Sequence, residues 1–489
     1  MDSLYSQRVA IGMDLDPTVC EAARRSRDPR FDGRFFIAVV TTGIYCRPVC
    51  PAPSPRERNV LYFPTAAAAA ESGFRPCLRC RPETSPGAPA WLGTSISVSR
   101  ALRLIGELGL AEESIEDLAA HLGLGARQLR RLFLQHLGAS PVAVVQTRRI
   151  HFAKTLIDET NLPFTQVAMA SGFGSVRRFN ASFRKLYQRT PSEIRRLART
   201  VPLRPTGRYA FRLLFRPPFD WRGLLNFLAP RAIPGVEQVD GESYRRVISF
   251  GEHAGQIEAK LARARNAIEL MVDFPDVRHL MLIVERTRRM FDLQAEPASI
   301  ASVLQRDAAM AGRLHHRPGL RVPGAWDGFE LSVRAILGQQ VTVKGATTLA
   351  GRIVRAFGRP VEFGGGLTHI FPTPRVLAEA DLTSAGLTRS RANTIRQLAL
   401  AVANGELDFT KATGSEGFLR RLRAVPGVGD WTVQYIAMRA LGEPDAFPAS
   451  DLGLLRASGV KTAKELEELS SRWRPWRAYA AMQLWQGEA

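Results

Sequence analysis

The 489-residue chain has room for about three domains, and its 45% apolar content suits several globular cores. A net charge of +21 and a pI of about 10.7 point to a polyanionic partner, nucleic acid before an anionic membrane. A membrane span, a basic amphipathic membrane helix and a secretion signal are all excluded by pattern, and five cysteines in such a chain imply a reducing cytoplasm rather than disulfides.

Four of the five cysteines gather near the start. "TTGIYCRPVCPA" holds Cys46 and Cys50, and "FRPCLRCRPE" holds Cys77 and Cys80. The pattern is C-x3-C, 26 intervening residues, then C-x2-C. Two close pairs can place four thiolates in the tetrahedron that zinc prefers. Prolines stiffen the chain beside the ligands, and Arg47, Arg79 and Arg81 place positive charge nearby. Four thiolates on one zinc ion give an electron-rich centre, so an exposed sulfur there can attack an electrophile. Cys20, in "PTVCEAA", lies outside the pattern and reads as structural. "TAAAAAES" reads as a short helix.

The stretch from "FFIAVVTTGIYCRPVC" to "FRPCLRCRPE" resembles the N-terminal domain of the Ada family over residues 28–83. The resemblance implies zinc on Cys46, Cys50, Cys77 and Cys80. It also implies irreversible transfer of a methyl group from a DNA methylphosphotriester to Cys46. Losing a negative charge there strengthens binding to anionic DNA. The Pro-Cys-His-Arg motif of the second methyl acceptor in that family is absent, so repair of O-alkylguanine is not expected.

"RPETSPGAPAW" (81–91) and "RTVPLRPTGRYAF" (199–211) read as linkers. Between them the pattern is helical. Ser114, with Asp117 three residues on, starts a helix with Ile115, Leu118, Ala119 and Leu122 on one face, and Gly123 ends it. The next helix buries Leu129, Leu132 and Phe133 and presents Arg127, Gln128, Arg130 and Arg131. Such a pair is a helix-turn-helix, whose second helix enters the major groove. The unit recurs. Val167, Ala168 and Ala170 precede the turn "SGFGS", and Val176, Phe179, Phe183 and Leu186 line a second helix. That helix turns Arg177, Arg178, Asn180, Arg184 and Lys185 outward. Residues 95–197 resemble an AraC-type DNA-binding domain. Two recognition helices imply an operator spanning about two helical turns.

The third segment opens with strands, "RYAFRLLFRPPFDW" and "SYRRVISF", and turns helical from about Ala325 onward. In "LRAVPGVGDWTVQYIAMRALGEPDAFPASD", Pro426, Gly427, Val428 and Gly429 form a helix-hairpin-helix signal, where backbone amides approach a phosphate. Trp431 and Tyr435 share a helical face beyond it, and Asp451 starts the next helix. Residues 207–487 resemble the AlkA-type 3-methyladenine DNA glycosylases. The resemblance implies that Asp451 stabilises the sugar cation. Trp431, Tyr435 and Trp485 would then hold a flipped cationic base by cation–π attraction. It places Gln339 and Gln340 on the DNA, with Gln340 where the family often has an apolar wedge. Ser450 stands where close relatives have a second Asp. Gln434 and Tyr435 lie where bifunctional relatives carry a lysine, so strand cleavage is not expected. Trp473 and Trp476 read as core. Hairpin carbonyls in this family can hold a monovalent cation.

The expected fold is multidomain α+β. A four-cysteine zinc domain (1–85) precedes an all-α tandem helix-turn-helix domain (92–198). A small β-sheet subdomain (207–324) then leads to a helical helix-hairpin-helix glycosylase domain (325–489). The partner is double-stranded DNA, as alkylated lesion and as promoter operator, with no membrane and no obligatory protein partner. A rival reading is a transcription regulator whose glycosylase part only binds DNA. Gln340 favours it, and the set Trp431, Tyr435, Asp451 and Trp485 opposes it. A third has a purely structural zinc domain without methyl transfer.

Overall fold

A computed structural model describes residues 16–87, 96–108, 115–197, 207–262, 266–412 and 416–486. Asp16 caps the first helix, Pro17–Ser26, by accepting the Thr18 N–H at 2.7 Å. Four strands follow: β1 (Phe36–Val39), β2 (Ile44–Cys46), β3 (Val60–Phe63) and β4 (Arg75–Pro76), in the order β3-β1-β2-β4. β4 runs parallel to β2, with Tyr45 opposite Pro76, and the Cys77 N–H donates to the Tyr45 carbonyl at 2.9 Å. This register carries Cys46 alongside Cys77. The alanine tract is helical over Ala66–Glu71, capped by Thr65 on the Ala68 N–H at 3.0 Å.

The middle segment is all helical. The capping start at Ser114 lies outside the described residues, as do residues 88–91 and 199–206 of the two expected linkers. Gly123 (φ +67°) and Gly172 (φ +77°) make the two turns in a backbone conformation that glycine adopts without strain. Helix Ala126–Leu137 buries Leu129, Phe133 and Leu137 and exposes Arg127, Gln128, Arg130 and Arg131; Leu132 is half-buried. Helix Val176–Tyr187 buries Phe179, Phe183 and Tyr187 and exposes Arg177, Arg178, Asn180, Arg184 and Lys185. Val176, expected on the apolar face, is exposed. It is the first helical residue, and the buried stripe starts a turn later and runs at intervals of four to Tyr187. Helix Pro141–Glu159 joins the two units.

The third segment opens on a five-stranded antiparallel sheet. Its strands are β5 (Arg208–Leu214), β6 (Glu237–Val239), β7 (Ser243–Phe250), β8 (His253–Leu261) and β9 (Ala267–Asp273), in the order β5-β9-β8-β7-β6. The first strand is shorter than its alternating sequence suggests. Pro217 and Pro218 have no N–H to offer a ladder, and Asp220 caps helix Trp221–Leu228 at Gly223 N–H, 2.7 Å. The helical part also differs from expectation. Helices Leu280–Met290, Pro297–Leu304 and Ala308–His316 come before Ala325. A hairpin, β10 (Arg359–Gly364) and β11 (Leu367–Ile370), interrupts the later helices, turning at Gly364, Gly365 and Gly366, all at positive φ.

Three large apolar cores hold these parts. One joins β1 to β3 to the first helix-turn-helix through Phe36, Tyr45, Phe63, Leu104, Leu129 and Phe133. A second joins the other helix-turn-helix, the five-stranded sheet and the last helices, with Phe179, Phe183, Tyr209, Leu224, Ile268 and Met482. The third fills the helical bundle around Val333, Ile353, Leu398, Leu422 and Val433. Among the described residues no helix is long and apolar enough to cross a membrane.

Candidate functional sites

The four sulfur atoms of Cys46, Cys50, Cys77 and Cys80 all lie within 4.8 Å of one another. Zinc–sulfur bonds of about 2.3 Å in a tetrahedron put sulfurs about 3.8 Å apart, so this cluster fits one zinc ion. Cys77 and Cys80 are buried, and Cys46 and Cys50 are half-exposed. The Arg47 N–H donates to Cys80 Sγ at 3.4 Å. Its guanidinium turns away to Asp32 (Nε to Oδ1, 2.8 Å) and to the Cys80 carbonyl at 3.0 Å. Arg81 pairs with Glu83, Asp158 and Glu159 at 3.0–3.2 Å. Two of the three arginines expected to add charge at the thiols are therefore neutralised by acids, and Arg79 is the exposed one. Cys20 sits in a separate apolar cluster with Phe35, Ile37 and Tyr62, where burial pushes its thiol up to about 12.

A second site forms where three helices meet. Asp451 caps helix Leu452–Ser458 through the Leu454 N–H at 3.0 Å. The Trp485 indole N–H donates to the same Oδ1 at 2.9 Å, and the Trp431 indole N–H donates to Oδ2 at 2.9 Å. Trp431 and Tyr435, one turn apart on helix Asp430–Arg439, stack with centroids 5.2 Å apart and planes 11° apart. Trp485 meets Tyr435 edge-on at 6.1 Å. The Gln434 side-chain Oε1 accepts the Phe447 N–H at 3.1 Å and so holds the loop that delivers Asp451. Ser450 is exposed, and Trp473 and Trp476 are buried away in the core.

Sequence reasoning missed three residues here. Phe227 lies 6.0 Å from Trp485, and the Arg231 guanidinium sits 3.8 Å over the Phe227 ring. Arg439 Nη1 donates to the Tyr435 hydroxyl oxygen at 2.8 Å. Burial pushes the Tyr435 phenol up, but Arg439, Arg231 and Arg334 outweigh it and hold it below the usual tyrosine range. An arginine in a chain this basic carries no sequence signal, and Phe227 lies more than 200 residues before Asp451.

The hairpin joins helices Glu416–Arg423 and Asp430–Arg439. Gly427 has φ +85°, and a Cβ there would lie 2.1 Å from Thr394 Oγ1, so only glycine fits. Pro426, Gly427 and Gly429 are exposed, whereas the Val428 side chain is buried and only its backbone can face a phosphate. Gln339 Nε2 donates to the Gly427 carbonyl at 3.0 Å and to Thr432 Oγ1 at 2.9 Å. Gln340 is exposed beside it.

Family models match four consecutive parts: the metal binding domain of Ada (residues 19–83), a helix-turn-helix domain (118–197), the AlkA N-terminal domain (210–327) and the HhH-GPD superfamily of base excision DNA repair proteins (333–475). The protein named "Probable bifunctional transcriptional activator/DNA repair enzyme AlkA" of Mycobacterium tuberculosis is 42% identical over 95% of both chains. DNA-3-methyladenine glycosylase 2 of Escherichia coli is 34% identical over 57% of this chain and 97% of its own. A 3-methyladenine DNA glycosylase from Archaeoglobus fulgidus shares the fold of the C-terminal part. Its TM-score is 0.50 at 23% identity, over 56% of this chain and 97% of that one.

Proposed function

This chain belongs to the family of bifunctional transcriptional activator/DNA repair enzymes, with an Ada-type metal-binding domain and an AlkA-type glycosylase in one chain, and we propose that it both repairs alkylated DNA and regulates the response to it. We divide it at 1–85, 92–198, 207–324 and 325–489.

One observation carries the glycosylase reading. Two indole N–H groups fix the two oxygens of Asp451, and Tyr435 stacks on one of these rings and meets the other edge-on. In this reading a cationic 3-methyladenine-type base flips against these rings. Each electron-rich face attracts it by roughly 0.5–2 kcal/mol. Arg231 already covers a face of Phe227, which leaves the base the indoles and Tyr435. As the N-glycosidic bond breaks, its electron pair goes to the base and cancels the charge there. Asp451 stabilises the cation left on the sugar, and water then bonds to that carbon and gives up a proton, to the Asp451 carboxylate or to solvent. Trp431, Gln434 and Tyr435 offer no amine for a covalent intermediate, which supports a monofunctional hydrolase. The hairpin 426–429, with Gln339 and Gln340, would grip the strand, and a monovalent cation would share the Gly427 carbonyl with Gln339.

Cys46, Cys50, Cys77 and Cys80 would hold one zinc ion, which when bound keeps their sulfurs as thiolates at neutral pH. Cys46 Sγ then attacks the methyl carbon of a methylphosphotriester. An S–C bond forms, the C–O bond breaks, and the phosphodiester leaves as an anion. The Cys46 thiolate is used up in one turnover, and the protein gains affinity for DNA. Arg127, Arg130, Arg177, Arg178 and Arg184, all exposed on the second helix of each unit, would read or grip a promoter operator. The setting is the reducing cytoplasm, on the nucleoid, with no obligatory protein partner.

The test is release of methyladenine from methylated duplex DNA by wild type and Asp451→Asn. The variant should bind DNA normally and lose at least about a hundredfold in rate. No release by either folded protein would favour the pure regulator.

A further inference from the structure

A cavity of about 340 Å³ lies where the four-cysteine domain, the helices of the middle segment and the glycosylase part meet. Its size and its place between domains are those of small-molecule sites. One wall is helix Pro141–Glu159, which joins the two helix-turn-helix units and brings Arg148 and Phe152. Helix Ile96–Leu108 brings Arg103, and helix Leu280–Met290 brings Arg288 and Arg289. Another side is the chain from Met438 to Pro444, which leads from the helix of Trp431 and Tyr435 toward Asp451. Phe152 stacks on Phe211 of β5, with centroids 6.2 Å apart and planes 26° apart, and both rings line the cavity.

The cavity holds more positive charge than its acids meet. Among the described residues four acids line it, and each is engaged. Glu285 accepts from Arg148 at 2.7 Å, and Glu443 lies 3.9 Å from Arg100. Glu83 pairs with Arg81 at 3.1 Å and Lys154 at 3.5 Å, and Asp292 accepts the Tyr479 hydroxyl at 2.8 Å. Three arginines are left under-met. Arg103 donates to the Ala440 carbonyl at 2.9 Å, a neutral partner. Arg288, its side chain 12% exposed, comes no closer to an acid than Glu285 at 3.9 Å and makes no side-chain hydrogen bond among the described residues. Arg289 shares Glu107 with Arg286. Burial pulls Arg103 down to about 10, and burial together with the nearby Arg103 pulls Arg289 down to about 9. Guanidinium groups fall that far where their charge is poorly compensated, and an anion beside them would compensate it.

We propose that this cavity binds a nucleoside monophosphate, its phosphate on Arg103, Arg288 and Arg289 and its base against Phe152 and Phe211. Guanidinium forks match phosphate oxygens, and flat bases stack on aromatic rings. The three guanidiniums argue against a free base. The aromatic pair argues against bare phosphate, and a carboxylate brings too few oxygens and too little charge for three arginines. A ligand held there touches the joining helix on one side and residues 438–444 on another. It therefore tightens the joint between the regulator and the enzyme, by an amount that rises with its concentration.

The experiment is isothermal titration of the full chain, without DNA, with deoxyadenosine monophosphate, deoxyadenosine and inorganic phosphate. The monophosphate should bind one per chain, at least about tenfold more tightly than either fragment. Arg288→Met and Arg103→Met, on two different helices, should each weaken it about tenfold, the scale of one charged hydrogen bond. On wild type the monophosphate should slow amide hydrogen exchange across 147–155 and 438–444 and leave the hairpin 426–429 unchanged, an arm that needs no variant to fold. No binding at about 10 mM monophosphate overturns the proposal. So does binding that both variants leave unchanged, or slowed exchange at 426–429 alone, which would put the nucleotide on the DNA-gripping surface. Inorganic phosphate bound as tightly as the monophosphate would reduce the cavity to a plain anion site and remove the nucleotide.

Discussion

An ordinary helix cap needs one oxygen, and Asp451 spends one on the Leu454 N–H while both oxygens also accept indole N–H groups. Capping and catalysis are therefore compatible at this residue, because the cap fixes the orientation in which the indoles meet the carboxylate. The thiol cluster poses a choice between two residues. Solvent reaches Cys46 and Cys50, whereas Cys77 and Cys80 are only 8% and 7% exposed, and a backbone N–H quiets the Cys80 sulfur. Exposure alone leaves Cys46 and Cys50 equal. Position in the motif is the ground on which Cys46, at the end of β2, is proposed as the acceptor. Incubation with DNA carrying methylphosphotriesters should put one methyl group on Cys46 and none on Cys50, read by mass spectrometry of the separate peptides. A methyl on Cys50, or none at all on protein with zinc bound, sinks the assignment.

Between elements, the joint that sets sheet against bundle is ionic. Glu237, on β6, accepts from Arg334 at 2.7 Å, from the Ile233 N–H at 3.0 Å and from the Tyr244 hydroxyl at 2.5 Å. Arg246, on β7, reaches Glu330 on helix Gly328–Leu337 at 2.8 Å. Burial resists the Glu237 charge, but Arg334 and Arg246 outweigh it and bring its carboxyl down to about 2, while burial pushes Glu330 up. A depressed carboxyl gives stability that is full above its unfolded value and fades as pH falls toward the folded one. Glu237→Gln should cost about 3 kcal/mol at neutral pH, because two buried arginines lose their partner. In denaturant titrations that gap should narrow from about pH 4.5 down toward 2. A gap that stays constant over that window would place the stabilisation in shape rather than charge. None of this joint was legible in the sequence, since Glu237, Arg246, Glu330 and Arg334 carry no pattern until the chain is folded. What was legible is local: the alanine helix of residues 65–72, the Phe179–Phe183 stripe, the glycine turns and the hairpin at Gly427 each act within a few residues. The β10–β11 hairpin was missed because its three glycines sit between strongly helical stretches.

Across the whole molecule, apolar cores and polar contacts connect the parts with different strength. The four-cysteine sheet and the first helix-turn-helix share one core, and Thr65 also donates to the Leu137 carbonyl at 2.8 Å. Each fully buried Phe or Leu in such a core contributes roughly 1.5–3 kcal/mol. Helices of 7 to 13 residues are too short to stand without it. The same region meets the glycosylase part through polar contacts, among them Arg103 to the Ala440 carbonyl at 2.9 Å, Arg148 to Glu285 at 2.7 Å, and the more buried pairs of Glu107 with Arg286 and Arg289 and of Arg34 with Glu296. The Arg148–Glu285 side chains are 28% and 20% exposed, and pairs of that kind are worth about 1 kcal/mol or less. Stripping the metal with a chelator should therefore loosen the first helix-turn-helix along with the thiol sheet, and stop short of the hairpin at 426–429. Amide hydrogen exchange should speed up across Ala126–Leu137 and stay slow across Asp430–Arg439, and base release should persist. Slow exchange in Ala126–Leu137 after chelation would mean that the shared core holds without metal. Fast exchange in Asp430–Arg439 would mean that the part-buried contact of Arg103 to the Ala440 carbonyl, with the Glu107 and Glu296 pairs, couples the halves tightly.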